Sequence, residues 1–355
     1  MNSELRAGVL GVRRGRSYVR VLQAMEGVSV TAVADWDAER RETVCAEHNV
    51  SKGFASLEEL LAEDLDLVVV ATPAPQHAEH SIQVLEANVN VISEIPILAT
   101  REEAEQLVAA QEKSDALYMC GENCSYWAYV HTLKHLNERG DFGQIFAAEA
   151  EYIHNIPRLR RDEHGNRMWR SYMPPITYLT HSLGPVMWVT GQYPVEVVCL
   201  GAKEHYEPDL DDYQVAIFRM TDDSIVRISC SFANSHWGNH RQVFMGTKAT
   251  FDSGWIRKDE PKFRYAGERE FTVPDNLPLG INFPDAEEAA TLGGHGTAEW
   301  YMLKDFFKAI RTGGPAPIDV YDGIMYTLPG VCAAESAASG GQPVAIPQYQ
   351  LQRKA

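Results

Sequence analysis

Leu65-Asp66-Leu67-Val68-Val69-Val70-Ala71-Thr72-Pro73 is the stretch that decides the fold class of this 355-residue chain. A run of Val and Leu this continuous does not alternate between a wet and a dry face. It reads as a strand buried on both faces, the mark of a parallel sheet covered by helices. Upstream, Ala7-Gly8-Val9-Leu10-Gly11-Val12 reads as a short buried strand that breaks at glycine. Residues 16–26 follow as a helix, with Tyr18, Leu22 and Met25 at helical spacing. Residues 28–34 are β-rich and end at Asp35, and residues 38–48 are helical. Downstream, residues 77–87 look helical and residues 89–93 form a strand ending at Glu94-Ile95-Pro96. Thr100 and Glu103 have the spacing of a capping box for a helix over 100–114, and residues 116–120 are one more strand. Strand–helix alternation predicts a doubly wound parallel sheet over residues 1–121.

The pattern then changes. Residues 126–138 read as a helix. Alternating segments follow at 145–153, 195–200, 212–220, 224–232, 241–246 and 250–252, separated by turns such as Thr221-Asp222-Asp223. They predict a mainly antiparallel sheet. Residues 256–292 are charged and rich in Pro and Gly, and read as a long loop region. An amphipathic helix over 297–311 ends at Gly313-Gly314-Pro315, and a last helix covers 320–338. Residues 122–355 make the second expected domain.

The chain is 45% hydrophobic and 23% charged, enough to bury two cores. Its net charge of -17 repels phosphate backbones and anionic lipid, so neither nucleic acid nor membrane is an expected partner. No apolar run approaches the roughly 18 residues a membrane span needs, and the first residues carry no leader pattern. The six cysteines are scattered. Cys120 and Cys124 have CxxxC spacing, but no second pair or nearby His completes a zinc site. They read as reduced thiols of a cytoplasmic protein. His131 and His135 are four apart on a helix without an acidic third ligand, so no metal is expected.

Three groups of residues carry chemistry. The first is the turn Gly8-Val9-Leu10-Gly11-Val12-Arg13-Arg14-Gly15-Arg16. Counted from Gly11, a G-x-G-x-x-G fingerprint needs glycine at 13 and 16, where this chain has arginine, with Gly15 beside the third position. Arg13 either crowds a dinucleotide or pairs with its pyrophosphate. Strand, helix and Asp35 at the end of the next strand favour NAD, because a carboxylate there repels a 2′-phosphate. A domain of this kind that has lost its dinucleotide is the alternative. The second group is Thr72-Pro73 with His77, and Glu94-Ile95-Pro96, both at carboxyl ends of parallel strands, where ligands bind. The third is Tyr178-Leu179-Thr180-His181-Ser182-Leu183-Gly184-Pro185, in which a phenol and an imidazole three residues apart share a helical face before a Gly-Pro turn signal. Tyr152 and His154, two apart on one strand, share a face as well, either as a cleft wall or as a wet sheet surface.

The order Gly11 turn, Asp35, Thr72-Pro73-x-x-x-His77, Glu94-x-Pro96 and a following antiparallel domain resembles the glucose–fructose oxidoreductase/inositol dehydrogenase (Gfo/Idh/MocA) family over nearly the whole chain. That resemblance implies an α/β protein: an N-terminal Rossmann doubly wound parallel sheet plus a C-terminal α+β domain with a large, mainly antiparallel open sheet. It also implies bound NAD(P), with Asp35 favouring NAD, a small carbohydrate substrate and a homo-oligomer, dimer or tetramer, formed through the open sheet. The family's usual Glu-Lys-Pro is Glu94-Ile95-Pro96 here, so the lysine that assists proton transfer is missing. Further stretches resemble the branch of NAD-dependent α-N-acetylgalactosaminidases. They are Gly121-Glu122-Asn123-x-x-Tyr126, Glu149-x-Glu151-Tyr152-Ile153-His154, Trp169-Arg170, Tyr178-x-Thr180-His181-x-x-Gly184-Pro185 and Gly293-Gly294-His295-Gly296. Leu179 and Ser182 depart from that branch's Pro and Gly.

The resemblance implies His181, Tyr178 and Tyr152 as catalytic residues. It implies Gly11, Arg13, Arg14, Gly15, Asp35, Thr72, Pro73, His77, Glu94 and Glu122 around the cofactor, and His154, Trp169, Arg170 and His295 on the substrate. Two net reactions stay open, sugar dehydrogenation and redox-neutral oxidation, elimination, hydration and reduction of a glycoside. A cofactor-poor sugar-binding or regulatory protein is the reading from another class.

Overall fold

The computed structural model describes residues 4–162, 164–203, 210–232, 238–254, 261–269, 289, 291–292 and 297–353. The chain divides into two compact units, Met1–Tyr126 with Phe283–Ile324, and Trp127–Asn282 with Met325–Ala355. The sequence reading puts everything after residue 121 into the second domain. Instead, the segment Phe283–Ile324 packs with the first unit, where the Cys120 N–H donates to the Ile318 carbonyl at 2.9 Å and Arg311 donates to the Gly27 carbonyl at 3.0 Å. Contacts across almost 200 residues of sequence leave no local trace, so only the tertiary structure shows them.

The first unit runs β1 (Leu5–Leu10), α1 (Val12–Ala24), β2 (Val28–Ala34), α2 (Ala38–His48), β3 (Lys52–Phe54), α3 (Leu57–Leu61), β4 (Leu67–Val70), α4 (His77–Glu86), β5 (Asn90–Ser93), α5 (Arg101–Gln111) and β6 (Tyr118–Cys120). The helix Thr297–Thr312 belongs to the same unit. Its six strands lie in the order β3-β2-β1-β4-β5-β6, every neighbouring pair parallel. β4 is buried along its whole length, as the Val run demands. The order reverses between β1 and β4, which places the ligand edge at the carboxyl ends of these two strands. Thr100 and Glu103 form the capping box of α5. β3 and α3 are absent from the sequence reading because they are three and five residues long, too short for a period to show.

The second unit runs α6 (Ala128–Glu138), β7 (Ile145–Ile153), α7 (Pro157–Arg160), α8 (Thr180–Thr190), β8 (Pro194–Lys203), β9 (Asp211–Met220), β10 (Ile225–Ser231), β11 (Gln242–Gly246), β12 (Ala249–Asp252), β13 (Lys262–Tyr265) and β14 (Val344–Ala345). The sheet order is β13-β12-β11-β7-β10-β9-β8-β14, antiparallel except for the pair β7 and β10. β13 lies inside the stretch read as a long loop; most of the rest of 256–292 falls outside the described residues. Burial alternates along these strands. On β9, Ala216, Phe218 and Met220 face the covered side while Tyr213, Ile217 and Arg219 are exposed. α8 and the turn Pro175–Tyr178 pack on the covered side, against β7, β9 and β10. Among the described residues no helix is long and apolar enough to cross a membrane.

Candidate functional site

In the first unit the site is built at the carboxyl ends of β1, β2, β4 and β5. Gly11 leaves β1 with φ +84°. A Cβ on it would sit 2.7 Å from the backbone of Ala71 and Thr72, so the β1 turn presses directly on the end of β4. α1 starts at Val12, four residues before the sequence reading has it, and Arg13, Arg14 and Gly15 form its first turn rather than a loop. A Cβ on Gly15 would come 2.5 Å from Val9 Cγ1. Gly15 thus does what the third glycine of the fingerprint does, letting helix and strand pack closely, one position early. Asp35, 5% exposed, accepts the Val12 N–H at 2.9 Å and the Asp37 N–H at 3.0 Å. A carboxylate at the first N–H of a helix is well placed electrostatically, and Arg40 stands 3.5 Å away.

The two arginines part company. Arg13 is exposed and lines an open cavity of about 410 Å³ with Val12, Arg16, Asp37 and Arg40. Arg14 turns inward, where Nε donates to Glu94 at 2.9 Å, Nη1 to Ser17 Oγ at 2.6 Å and Nη2 to fully buried Glu299. Burial works against the Arg14 charge, but Glu94 and Glu299 outweigh it and hold its proton more firmly than usual. Nothing local points to Glu299, which lies 285 residues away on the helix Thr297–Thr312.

Thr72 Oγ1 meets His80 Nδ1 at 3.0 Å. His77 ties the end of β4 to the Glu94-Ile95-Pro96 turn, with ring nitrogens 2.7 Å from the Thr72 carbonyl and 2.9 Å from that of Pro96. Pro73 begins the turn that carries Ala74–Gln76 into α4. Ile95 is 2% exposed. Glu122 is fully buried beyond β6 and accepts the Cys124 N–H at 2.7 Å. Burial, then the Glu122 charge, pushes the Cys124 thiol well up, which keeps it un-ionised.

In the second unit Tyr178, His181 and Tyr152 come together. Tyr178 ends the turn Pro175–Tyr178 and His181 is the second residue of α8. The expected Gly-Pro turn is not one: Gly184 and Pro185 lie inside α8, and Pro185 removes the helical bond to the His181 carbonyl. Gln214 of β9 pins the turn by accepting the Ile176 N–H at 2.9 Å. Gly330 lets the helix Val320–Ala338 approach it, since a Cβ there would stand 2.9 Å from the Ile176 carbonyl.

Tyr152, 5% exposed, is on the covered face of β7, so of the two sequence readings the wet sheet surface is wrong for it. Its ring lies 5.1 Å from Tyr178 and 5.6 Å from His181, while Tyr178 and His181 are 5.6 Å apart. Tyr152 Oη bonds His154 Nδ1 at 3.0 Å. Arg170 stacks on Trp169 and Tyr178 with its guanidinium carbon 4.5 and 4.4 Å from the ring centres, and donates to Tyr178 Oη at 3.1 Å. Because guanidinium only donates, Tyr178 spends an oxygen lone pair on it and keeps its own proton for another partner.

The sequence reading missed His240. Its ring stands 4.9 Å from Tyr152, 6.0 Å from His181 and 6.3 Å from His154. The available signal was the density of His and Trp in His236-Trp237-Gly238-Asn239-His240. His131 packs its ring on Trp188 at 6.0 Å. His295 lies outside the described residues.

Residues 5–122 match the oxidoreductase family of NAD-binding Rossmann folds, and residues 130–252 match the GFO/IDH/MocA C-terminal domain. The chain belongs to the Gfo/Idh/MocA family. Like other members of the Gfo/Idh/MocA family it is an NAD-dependent enzyme, and its first unit is the NAD-binding domain. The Gly11 and Gly15 close approaches and the helix start beside Asp35 fit that cofactor. Residues 282–353 match the glycosyl hydrolase 109 C-terminal domain. A glycosyl hydrolase family 109 protein of Solibacter usitatus is 25% identical, with 98% of this chain and 89% of the relative covered. Levoglucosan dehydrogenase in complex with NADH and levoglucosan superposes with a TM-score of 0.81 at 20% identity, over 97% of this chain and 100% of its own. An oxidoreductase domain protein from Kribbella flavida gives 0.83 at 19% identity, over 97% and 100%. Those two structures share the fold.

Proposed function

We propose that this chain acts on a glycoside by a redox-neutral route, in which oxidation at a ring hydroxyl, elimination, hydration and reduction return the cofactor to its starting state. The observation that supports it is the gathering of Tyr152, Tyr178, His181 and Arg170, in a chain with isoleucine, whose side chain cannot carry a proton, at the middle position of Glu94-Ile95-Pro96. The relatives named glycosyl hydrolase family 109 point the same way. Bound NAD supplies hydride acceptance and its return.

The protons fall to the chain's own residues. His181 takes a proton from the substrate at the hydroxyl being oxidised or at the neighbouring carbon, as an imidazole working near neutral pH can. Tyr178, its oxygen engaged by Arg170, presents its proton to an oxygen of the substrate. Tyr152 and His154 hold a substrate hydroxyl through their shared hydrogen bond, and Trp169 with Arg170 forms a flat wall for a sugar ring. Asp35 and Arg13 would hold the ribose and phosphate portions of NAD.

The test is turnover of aryl glycosides with NAD present. Aglycone released without accumulation of NADH supports this reading. NADH accumulating in step with product would replace it with net sugar dehydrogenation, the reading the levoglucosan dehydrogenase fold favours. A homo-oligomer through the exposed sheet face of Tyr213, Ile217 and Ile225 belongs to the same proposal and is tested by light scattering. So does a cytoplasmic location, which fits six cysteines without a disulfide.

A further inference from the structure

His77 sits where a neutral imidazole does not fit. It is 2% exposed. Its Nε2 lies 2.7 Å from the Thr72 carbonyl oxygen and its Nδ1 lies 2.9 Å from the Pro96 carbonyl oxygen. Carbonyl oxygens only accept hydrogen bonds. A neutral ring has one N–H and would set the lone pair of its other nitrogen against a carbonyl lone pair at hydrogen-bond distance. A ring protonated on both nitrogens satisfies both contacts. Burial disfavours a charge, while two good acceptors favour the charged form. The unprotonated alternative leaves one buried carbonyl facing a bare nitrogen, which is a cost of its own.

We propose that His77 is an imidazolium at neutral pH, a fixed positive charge built into the ligand edge of the parallel sheet that strengthens binding of the dinucleotide's diphosphate. Thr72 follows β4 and Pro96 follows β5, so the charge sits beside the carboxyl end of β4, one of the two strands at the switch point where ligands of such sheets bind. Around it the chain supplies His80 on the same helix, which burial and then the repulsion of His77 keep from protonating, with Glu79 acting in the opposite sense. Glu94, two residues before Pro96, is already engaged by Arg14. Glu103 of α5 is occupied with the Ala99 and Thr100 N–H groups. The charge matters more here than in a chain with Glu-Lys-Pro, because Ile95 brings none to this turn. The diphosphate part of the proposal rests on the NAD reading; the charge state does not.

The experiment is nitrogen-15 spectroscopy of histidine-labelled protein without cofactor, from pH 6 to 9. His77 is assigned by its absence in His77→Gln, or by through-bond correlation in the wild type if that variant does not fold. Both His77 nitrogens should carry protons at pH 7.5 and lose one only above it. A neutral ring at pH 7.5 overturns the proposal. NADH titration by fluorescence then reads the role. His77→Gln should weaken NADH by about threefold to tenfold at low salt, the size of one partly screened charge interaction, and less at high salt. Unchanged affinity in a folded His77→Gln, with the imidazolium confirmed, overturns the diphosphate role. Wild-type protein that binds no NADH would sink the cofactor reading and the diphosphate role with it, while the spectrum still decides the charge.

Discussion

Replacing Arg14 by leucine should leave the first unit folded but weakened, and in a way that reverses its response to acid. Glu299 has no exposure and Glu94 has 9%, and both place an oxygen on the same Arg14 nitrogen. Remove the guanidinium and two buried carboxylates face each other. Taking one partner out of a buried ion pair costs about 3–5 kcal/mol. The Arg14 side chain keeps 30% exposure, so water offsets part of the loss, and about 2–4 kcal/mol is the expectation. For a unit of this size each kcal/mol lowers Tm by about 2–4 °C, so a drop of about 4–16 °C at pH 7 follows.

The sign with pH is the sharper part. In Arg14→Leu one carboxylate holds its proton above the usual value of about 4.3. The folded chain then binds more protons than the unfolded chain in that window, and stability rises as pH falls from 8 to 5. In the wild type the Arg14 guanidinium pairs with both carboxylates, so no such recovery is expected. Adding Glu299→Gln to Arg14→Leu should restore part of the lost stability at pH 7. Calorimetry at pH 5, 7 and 8 measures all three chains. If Arg14→Leu melts within about 2 °C of the wild type at pH 7 and shows no gain on acidification, the clasp contributes nothing and the reasoning is refuted.

Gly11→Ala forces a side chain into backbone at 2.7 Å and into a positive φ that costs about 1–2 kcal/mol, so NADH affinity should fall more than tenfold in a fluorescence titration. Tyr178→Phe removes the oxygen that Arg170 holds and the proton it has to give. Turnover should fall about 10²–10⁴-fold with NADH binding unchanged, and a loss below threefold would take Tyr178 out of the mechanism. Burial pushes the His80 imidazole below its usual value, so on acidification the unfolded chain takes that proton first. Stability from this residue is therefore lost as pH falls below about 6.5, and His80→Gln should flatten the fall of Tm between pH 7 and 5.

The fold and the site were legible to different depths. The Val run of β4, the glycine-ended β1 and the capping box of α5 are local signals, and each became the element it predicts. Tyr178 and His181 are legible because they are neighbours in sequence; for Tyr152 alternation gives a face shared with His154, and only the fold shows that this face of β7 is the covered one. The sequence makes Arg14 a cofactor contact by its place in the turn, and shows nothing of its buried carboxylate partners. Glu299 and His240 left no readable mark, because what makes them matter is distance in space across long stretches of chain. Gly184-Pro185 reads as a turn because proline inside a helix forgoes a hydrogen bond and is uncommon, and only the packing of α8 shows that the helix runs through it.

By itself the sequence determined the two kinds of sheet, the dinucleotide turn, the absence of lysine at position 95 and the pairing of a phenol with an imidazole. These depend on the period of apolar residues and on side-chain identity, which are written one residue at a time. The tertiary structure alone decided that Phe283–Ile324 folds with the first unit, that Arg14 faces Glu94 and Glu299, and that His77 lies between two carbonyl oxygens. Burial raises the cost of an unmet charge or lone pair to several kcal/mol. Only the packed chain shows which groups pay it and which partner relieves them.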